Sequence, residues 1–224
     1  MEHRSRRSSS SVESTVVRVA SVREICRYIC QDSVSLQFAP YNALMPITKT
    51  PPTIRAATRA DIPALHALIE SAYRGDTARL GWTHEADLLD GQRTDPASLA
   101  EIIDDPDQRI LVALDGSDII GCVQIAGKEN DTSYLGLLSV DPRRQATGLG
   151  KQLIAAAEHA AATYFGAHLV EMTVIKQRSE LIAYYNRRGY SETGEERPFP
   201  FDDERFGLPR TSELVFVVLA KSIG

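Results

Sequence analysis

The chain has 224 residues, 43% of them hydrophobic, enough for one packed domain plus an extension or for two small domains. A formal net charge of −5 argues against a nucleic-acid-binding surface. No window approaches the roughly 18 consecutive apolar residues of a membrane span.

Charge is uneven along the chain. Residues 1–52 carry seven Lys/Arg and four Asp/Glu, a net of +3, so the remaining 172 carry −8 (−5 minus +3). An acidic body attracts a cationic substrate at long range, and it serves solubility equally well. The first 14 residues are rich in Ser and Arg and read as disordered. Arg/Ser richness suggests a mitochondrial presequence, against which stand the acids Glu2, Glu13 and Glu24. Residues 1–52 are therefore expected to be a disordered or weakly helical extension, in a cytoplasmic protein with a mitochondrial location as the alternative. Pro46, Pro51 and Pro52 mark a linker, and the domain is expected to span 53–224.

Thr53–Thr58 predicts a first strand. Asp61 can cap a helix from Ile62 to about Arg74, with Pro63 tolerated in its first turn and Leu65, Leu68, Ile69 and Ala72 as its apolar stripe. Residues 75–95 hold the only tryptophan, Trp82, beside His84, Glu85, Asp87, Asp90 and Arg93. A short helix follows from Pro96 to Ile103. Strands are predicted at Gln108–Leu114 and Ile119–Ala126, joined by the turn Asp115-Gly-Ser-Asp118, and then at Ser133–Val140.

The last of these strands runs into Asp141-Pro-Arg-Arg-Gln-Ala-Thr-Gly-Leu-Gly-Lys151, a Pro-marked turn, a glycine-rich loop and a helix start. Glycines let a backbone approach a ligand closely, and a helix N-terminus offers unpaired N–H groups and a positive dipole end. The combination reads as a pyrophosphate cradle. A Walker A loop would need Gly at 145 and Ser/Thr at 152, where Gln145 and Gln152 stand. A dinucleotide fingerprint would need a small residue at 153, where Leu153 stands. The helix that follows is predicted over Leu149–Phe165, with Leu149, Leu153, Ala156, Ala157, Ala160 and Tyr164 at helical spacing and Gly166 as its stop. Ala167–Ile175 is a fifth strand. Arg178-Ser-Glu-Leu-Ile-Ala-Tyr-Tyr-Asn-Arg-Arg-Gly-Tyr190 reads as a helix ended by Gly189 and then a strand. Arg197–Pro209 is a long loop with Phe199, Phe201 and Phe206, and Glu213–Ala220 alternates into a last strand.

Cys26 and Cys30 have three residues between them, not the two of a Cys-x-x-Cys motif, and no second ligand pair follows. With five scattered histidines, no metal site is expected. Three cysteines fit a reducing compartment, and Cys122 lies in an apolar run as a core residue.

The spacing Gln145-x-x-Gly148-x-Gly150 resembles the acetyl-CoA loop of the GNAT family, the Gcn5-related N-acetyltransferases. Residues 178–190 resemble the family segment Asn-x-x-Ala-x-x-Phe-Tyr-x-Lys-x-Gly-Phe, with Tyr184-Tyr185 at Phe-Tyr, Arg187 or Arg188 at the basic position and Gly189-Tyr190 at Gly-Phe. Arg178 departs from the family's Asn and Leu181 from its Ala. The opening strand and Asp-Ile-Pro helix are also similar to the start of such a domain.

The resemblance implies an α/β (α+β) fold with a mixed, mostly antiparallel six- to seven-stranded sheet flanked by helices on both faces. It implies an acetyl-CoA-dependent N-acetyltransferase in which a primary amine attacks the thioester directly, with no metal. Acetyl-CoA would lie between the fourth and fifth predicted strands. Gln145, Ala146, Thr147, Gly148, Leu149, Gly150 and Lys151 would hold its pyrophosphate, with Arg178 reaching a phosphate. Backbone groups at Leu138 and Val140 would pair with the pantetheine arm like an added strand. One of these N–H groups could also polarise the thioester carbonyl. Tyr185 would be the general acid to the leaving thiolate, and with a phenol pKa of about 10 set against a thiol's of about 8.5 the transfer is expected to be favourable.

Glu85, Asp87, Asp90, Glu171 or a water chain could each be the general base. Residues 75–95, and with them Trp82, would wall the acceptor site, which Phe199, Phe201 and Phe206 would line or flank as plain anchors. The implied acceptor is a small-molecule amine before a protein substrate, with no nucleic acid or membrane involved, and a homodimer is compatible with the family. The alternative is a domain that binds acyl-CoA as a sensor or partner module without catalysis.

Overall fold

The computed structural model describes residues 51–74, 78, 79, 81, 85, 87–203 and 207–224. The N-terminal extension apart from Pro51 and Pro52, and also Trp82, His84 and Phe206, lie outside the described residues.

Among the described residues nine strands and four helices follow in order: β1 (Thr53–Ala56), α1 (Ile62–Tyr73), β2 (Leu89–Asp90), α2 (Pro96–Asp104), β3 (Gln108–Asp115), β4 (Asp118–Lys128), β5 (Thr132–Val140), α3 (Leu149–Phe165), β6 (Leu169–Ile175), α4 (Ser179–Asn186), β7 (Ser191–Pro198), β8 (Leu208–Pro209) and β9 (Val215–Ser222). Seven strands form one sheet in the order β1-β3-β4-β5-β6-β9-β7, antiparallel except for β5 against β6. The expected mixed sheet is thus present. No helix among the described residues is long and apolar enough to cross a membrane.

Alternation along β3 sends its side chains to two different cores. Ile110 and Val112 join Leu65, Leu68 and Ile69 of α1 and Leu99 of α2. Leu111 and Ala113 join Leu153, Ile154, Ala157 and Ala161 of α3. Burial on both faces is why β3 reads as a continuous apolar run and not as a clean alternation. In α3, Ile154 takes the buried place expected for Tyr164, which is exposed and lies under the Arg109 guanidinium, 4.9 Å from ring centroid to cation.

Helix ends follow local chemistry. Asp95 accepts hydrogen bonds from the Ala97 and Ser98 amides at 2.9 and 3.0 Å and so caps α2, whose first residue is Pro96. Asp61 does not cap α1 with its side chain, as the sequence suggested. It is drawn back instead to the Thr58 amide at 2.7 Å and to both terminal nitrogens of Arg55 at 2.8 and 2.9 Å. The hydrogen bonds from Arg55 hold the Asp61 carboxyl well below the usual carboxylate range.

Two irregularities shape the centre of the sheet. β5 pairs with β6 at only three positions, Thr132–Tyr134 against Leu169–Glu171, and then parts from it. Opposite β4, Cys122 faces Ser139 while Gln124 faces Gly136, so β5 carries one extra residue there. Leu137 sits in this bulge at φ 47°, a conformation that costs a non-glycine residue about 1–2 kcal/mol.

Helix α3 lies close on β4. A Cβ built on Gly121 would be 2.9 Å from the Leu153 side chain and 3.1 Å from the Ser139 carbonyl oxygen. Valine is the better strand former by at most about 1 kcal/mol, but overpacking costs about 1–3 kcal/mol. Gly121→Val should therefore lower stability by about 1–2 kcal/mol, read as a fall in the urea midpoint at unchanged slope. A midpoint equal to the wild type would show that α3 moves away from the sheet freely.

Candidate active site

The parted strands open into two adjoining cavities. The first, of about 250 Å³, is lined by Leu138 and Val140 of β5, by Arg144, Gln145, Ala146, Gly148, Leu149, Gly150 and Lys151 of the loop and helix start, by Leu181, Tyr184 and Tyr185 of α4, and by Tyr73 and Arg188. The second, of about 90 Å³, continues between β5 and β6 past Tyr134, Leu137, Met172 and Thr173 to Glu85, Leu89, Arg93, Arg178, Phe199 and Phe216. Tyr73, Leu138, Leu181 and Tyr185 line both and form the shared wall.

The first cavity has the chemistry of an anion cradle. Gly148 stands at φ 87° as the N-cap of α3, and Ala146 at φ 63°, so the loop turns sharply into the helix. Intrahelical bonding begins at the Gln152 amide, which donates to Gly148 at 3.2 Å. The earlier amides of a 17-residue helix are thus left for a ligand at its positive end. Gly150 has no room for a side chain, since an added Cβ would stand 2.6 Å from the Tyr184 hydroxyl. Arg144, Lys151 and Arg188 add positive charge around the opening. Arg144 is ion-paired with Asp115, and Arg188 donates to the Tyr184 carbonyl at 2.6 Å while stacking on its ring. This set fits the diphosphate of a CoA thioester, with the parted edge of β5 leading toward Tyr185.

The predicted site residues divide between the cavities. Leu138, Val140, Gln145, Ala146, Gly148, Leu149, Gly150, Lys151 and Tyr185 all line the first. Thr147 faces a neighbouring cavity beside Pro52 and Gln152, and its hydroxyl donates to the Arg144 carbonyl at 2.7 Å. Arg178 lines the second cavity, not the phosphate end, and its Nε donates to Glu180 at 2.9 Å.

Tyr185 is buried at 6% exposure, edge-on to Tyr184 and Tyr190 with ring centroids 5.4 and 6.0 Å apart. Burial pushes its phenol well above the ordinary value. The expected favourable transfer does not hold, and burial moves the group further from it. A phenol near 10 is already a weaker acid than a thiol near 8.5, so full transfer to a thiolate is uphill by about 2 kcal/mol before burial is counted. Tyr185 can donate a hydrogen bond to sulfur as charge grows there, while itself staying neutral.

The four candidate bases separate by position. Glu85 alone among them lines a cavity, and Arg74 donates to it at 2.8 Å with Arg93 at 4.0 Å. Asp87 pairs with Arg79, and Asp90 with Arg210, both at exposed positions. Burial raises the Glu171 carboxyl, but Lys128 and Arg197 outweigh it and leave the group below its usual value. Phe199 is buried against Leu89, Ile175 and Leu214, whereas Phe201 is exposed.

Sequence reasoning missed Tyr73. Its hydroxyl donates to the Leu138 carbonyl at 2.9 Å, and burial pushes its phenol up to about 12. As the last residue of an amphipathic helix it carries no mark that separates it from a core aromatic. Arg188 stood in the second motif, but nothing in the spacing chose between it and Arg187.

Solved structures that bear the name acetyltransferase share this architecture. The yncA protein of Salmonella typhimurium, solved with its cofactor acetyl-CoA, is 18% identical, with 77% of this chain and 94% of that one covered at a TM-score of 0.58. The ribosomal-protein-S18-alanine N-acetyltransferase of Escherichia coli is 16% identical over 77% and 94% of the two chains, with a TM-score of 0.56. A spermidine N-acetyltransferase chimera of Vibrio cholerae and hSSAT is 19% identical over 77% and 96%, with a TM-score of 0.55. No curated protein matches the sequence. The model of the acetyltransferase (GNAT) domain matches residues 83–200, just over half of the chain and spanning both motifs. The chain therefore belongs to the GNAT acetyltransferase family.

Proposed function

We propose that this chain is an acetyl-CoA-dependent N-acetyltransferase that acts on a primary amine. The observation that carries the reading is the parting of β5 and β6 between a glycine-built anion cradle and the buried Tyr185. Acetyl-CoA supplies an activated acetyl group when bound. The amides at the start of α3 hold its diphosphate, with Lys151 nearby. The free edge of β5 at Leu138 and Val140 aligns the pantetheine arm by main-chain hydrogen bonds. Tyr73 occupies the Leu138 carbonyl and fixes that edge.

The amine enters from the second cavity and attacks as the neutral base. The C–N bond forms, the C–S bond breaks, and the proton that the amine loses ends on sulfur. Tyr185 donates a hydrogen bond to the departing sulfur at the shared wall. Structural neighbours bear names that include spermidine and a ribosomal protein, so the fold does not choose the acceptor. The small second cavity supports a small amine before a folded protein.

Two measurements test this reading. Acetyl-CoA and CoA at 100 times their Kd should stabilise the chain by about 2.7 kcal/mol, seen as a rise in Tm, while ATP and NAD at the same concentrations do less. No rise with acetyl-CoA on folded protein would remove the proposal. Tyr185→Phe should lower kcat on the order of 10²-fold and leave the Kd of acetyl-CoA nearly as it was. An unchanged kcat would leave Tyr185 a packing residue.

A further inference from the structure

The second cavity does not share the acidic character of the domain. Among the described residues, two guanidiniums and one carboxylate line it, and a third guanidinium stands behind the carboxylate. Arg93 and Arg178 line the cavity, as does Glu85, and Arg74 stands behind Glu85 at 2.8 Å. Glu85 is thereby engaged first with Arg74, and Arg93 reaches it only at 4.0 Å. Arg178 has Glu180 on its outer side. Among the described residues the charged lining is thus two guanidiniums and one carboxylate, a net positive wall in an acidic domain, with Arg74, Glu70 and Glu180 standing behind it.

Arg93 is held in place from behind. Its own amide and that of Thr94 donate to Glu70 Oε1 at 2.7 and 3.0 Å. Its guanidinium lies over the Tyr73 ring, 5.1 Å from the centroid. The hydroxyl of that same ring is bonded to the Leu138 carbonyl on the edge of β5. One aromatic ring therefore separates Arg93 from the backbone beside which the thioester is to lie. Such a fork, fixed by its main chain and stacked on a ring, suits two-point recognition of a planar carboxylate.

We propose that the acceptor is a small amino acid, whose carboxylate is received by Arg93 with Arg178 beside it while its amine faces Tyr185 and Leu138. This inference rests on the acetyltransferase reading above. It also gives a positive reason for the amine to be uncharged at the moment of attack, since the same guanidiniums repel an ammonium and accept a carboxylate.

The test uses the full chain with acetyl-CoA and matched acceptor pairs: alanine with ethylamine, tyrosine with tyramine, arginine with agmatine. CoA release gives kcat/KM for each. The members of a pair differ in basicity, so the deciding quantity is how their ratio changes between proteins. The amino acid is expected to be preferred at least about tenfold by the wild type. Arg93→Gln should bring that ratio close to one, and Arg93→Lys should restore part of it. Equal ratios in wild type and Arg93→Gln, or a preference for the decarboxylated amines, would overturn the assignment. A second readout does not depend on turnover. In saturating CoA, calorimetry should show N-acetyltyrosine binding more tightly than N-acetyltyramine, and Arg93→Gln should abolish the difference. Equal binding of the two, or binding of neither, would also overturn it. Failure of acetyl-CoA itself to bind would instead remove the acetyltransferase reading, and the two failures are separately visible.

Discussion

Between Tyr134 and Val140 the inner edge of β5 has no neighbouring strand, because its pairing with β6 stops at Glu171 while β6 stays paired with β9 along its whole length. A strand in mid-sheet that leaves its main-chain groups unpaired would ordinarily be costly. Here the cost is met partly within the protein, where the Tyr73 hydroxyl takes up the Leu138 carbonyl. The remaining groups face a cavity. Everything functional is arranged around that edge: the anion cradle at its end, α4 with Tyr184 and Tyr185 across it, and the charged cavity beyond. The bulge at Leu137 increases the local twist and so helps β5 diverge from β6.

Helix α4 and the residues after it explain why the second motif includes a Gly-Tyr pair. Gly189 at φ 88° ends the helix, and Tyr190 folds back to donate to Glu158 of α3 at 3.0 Å. Lys221 of β9 donates to both oxygens of the same carboxylate. Tyr190 thus has a structural task, tying α4 to α3 and β9, while Tyr185 one turn earlier faces the cavities. Two tyrosines five positions apart thus face different ways, one into a structural tie and one into the cavities.

Much of this arrangement could be read from the residues. The glycines at 148 and 150, the apolar repeat of α3 and the stop at Gly166 are local features, and local sequence decides them. The continuous apolar runs of β3 and β4 likewise announce a buried sheet. What stayed hidden is tertiary. Nothing at Leu137 signals a left-handed backbone, because no glycine marks it. Asp61 has the right position for a helix cap, yet Arg55 on the neighbouring strand captures its carboxylate. The overall acidity pointed to a cationic partner, whereas the arginines of the second cavity come from 74, 93 and 178, three segments that no local window joins. The placement of Arg178 follows the same logic: the family's Asn position is kept in the chain, but a longer side chain carries its charge to a different place.

Leu89 of β2 lines the second cavity, and β2 is held by β8 in a two-residue pairing reinforced by Arg210 on Asp90. Asp90 and Arg210 are 120 positions apart in the chain. The glycine loop and its flanks, by contrast, are one local stretch, residues 138–151. Loop closure makes long-range contacts slow to gain relative to local ones. The meander β3-β4-β5 with α3 can therefore assemble early and present the glycine loop, while both cavities need α4 and the segment after it. Tyr73 and Tyr185, far apart in the chain, stand in the wall that the two cavities share, so neither cavity is complete until the chain has returned.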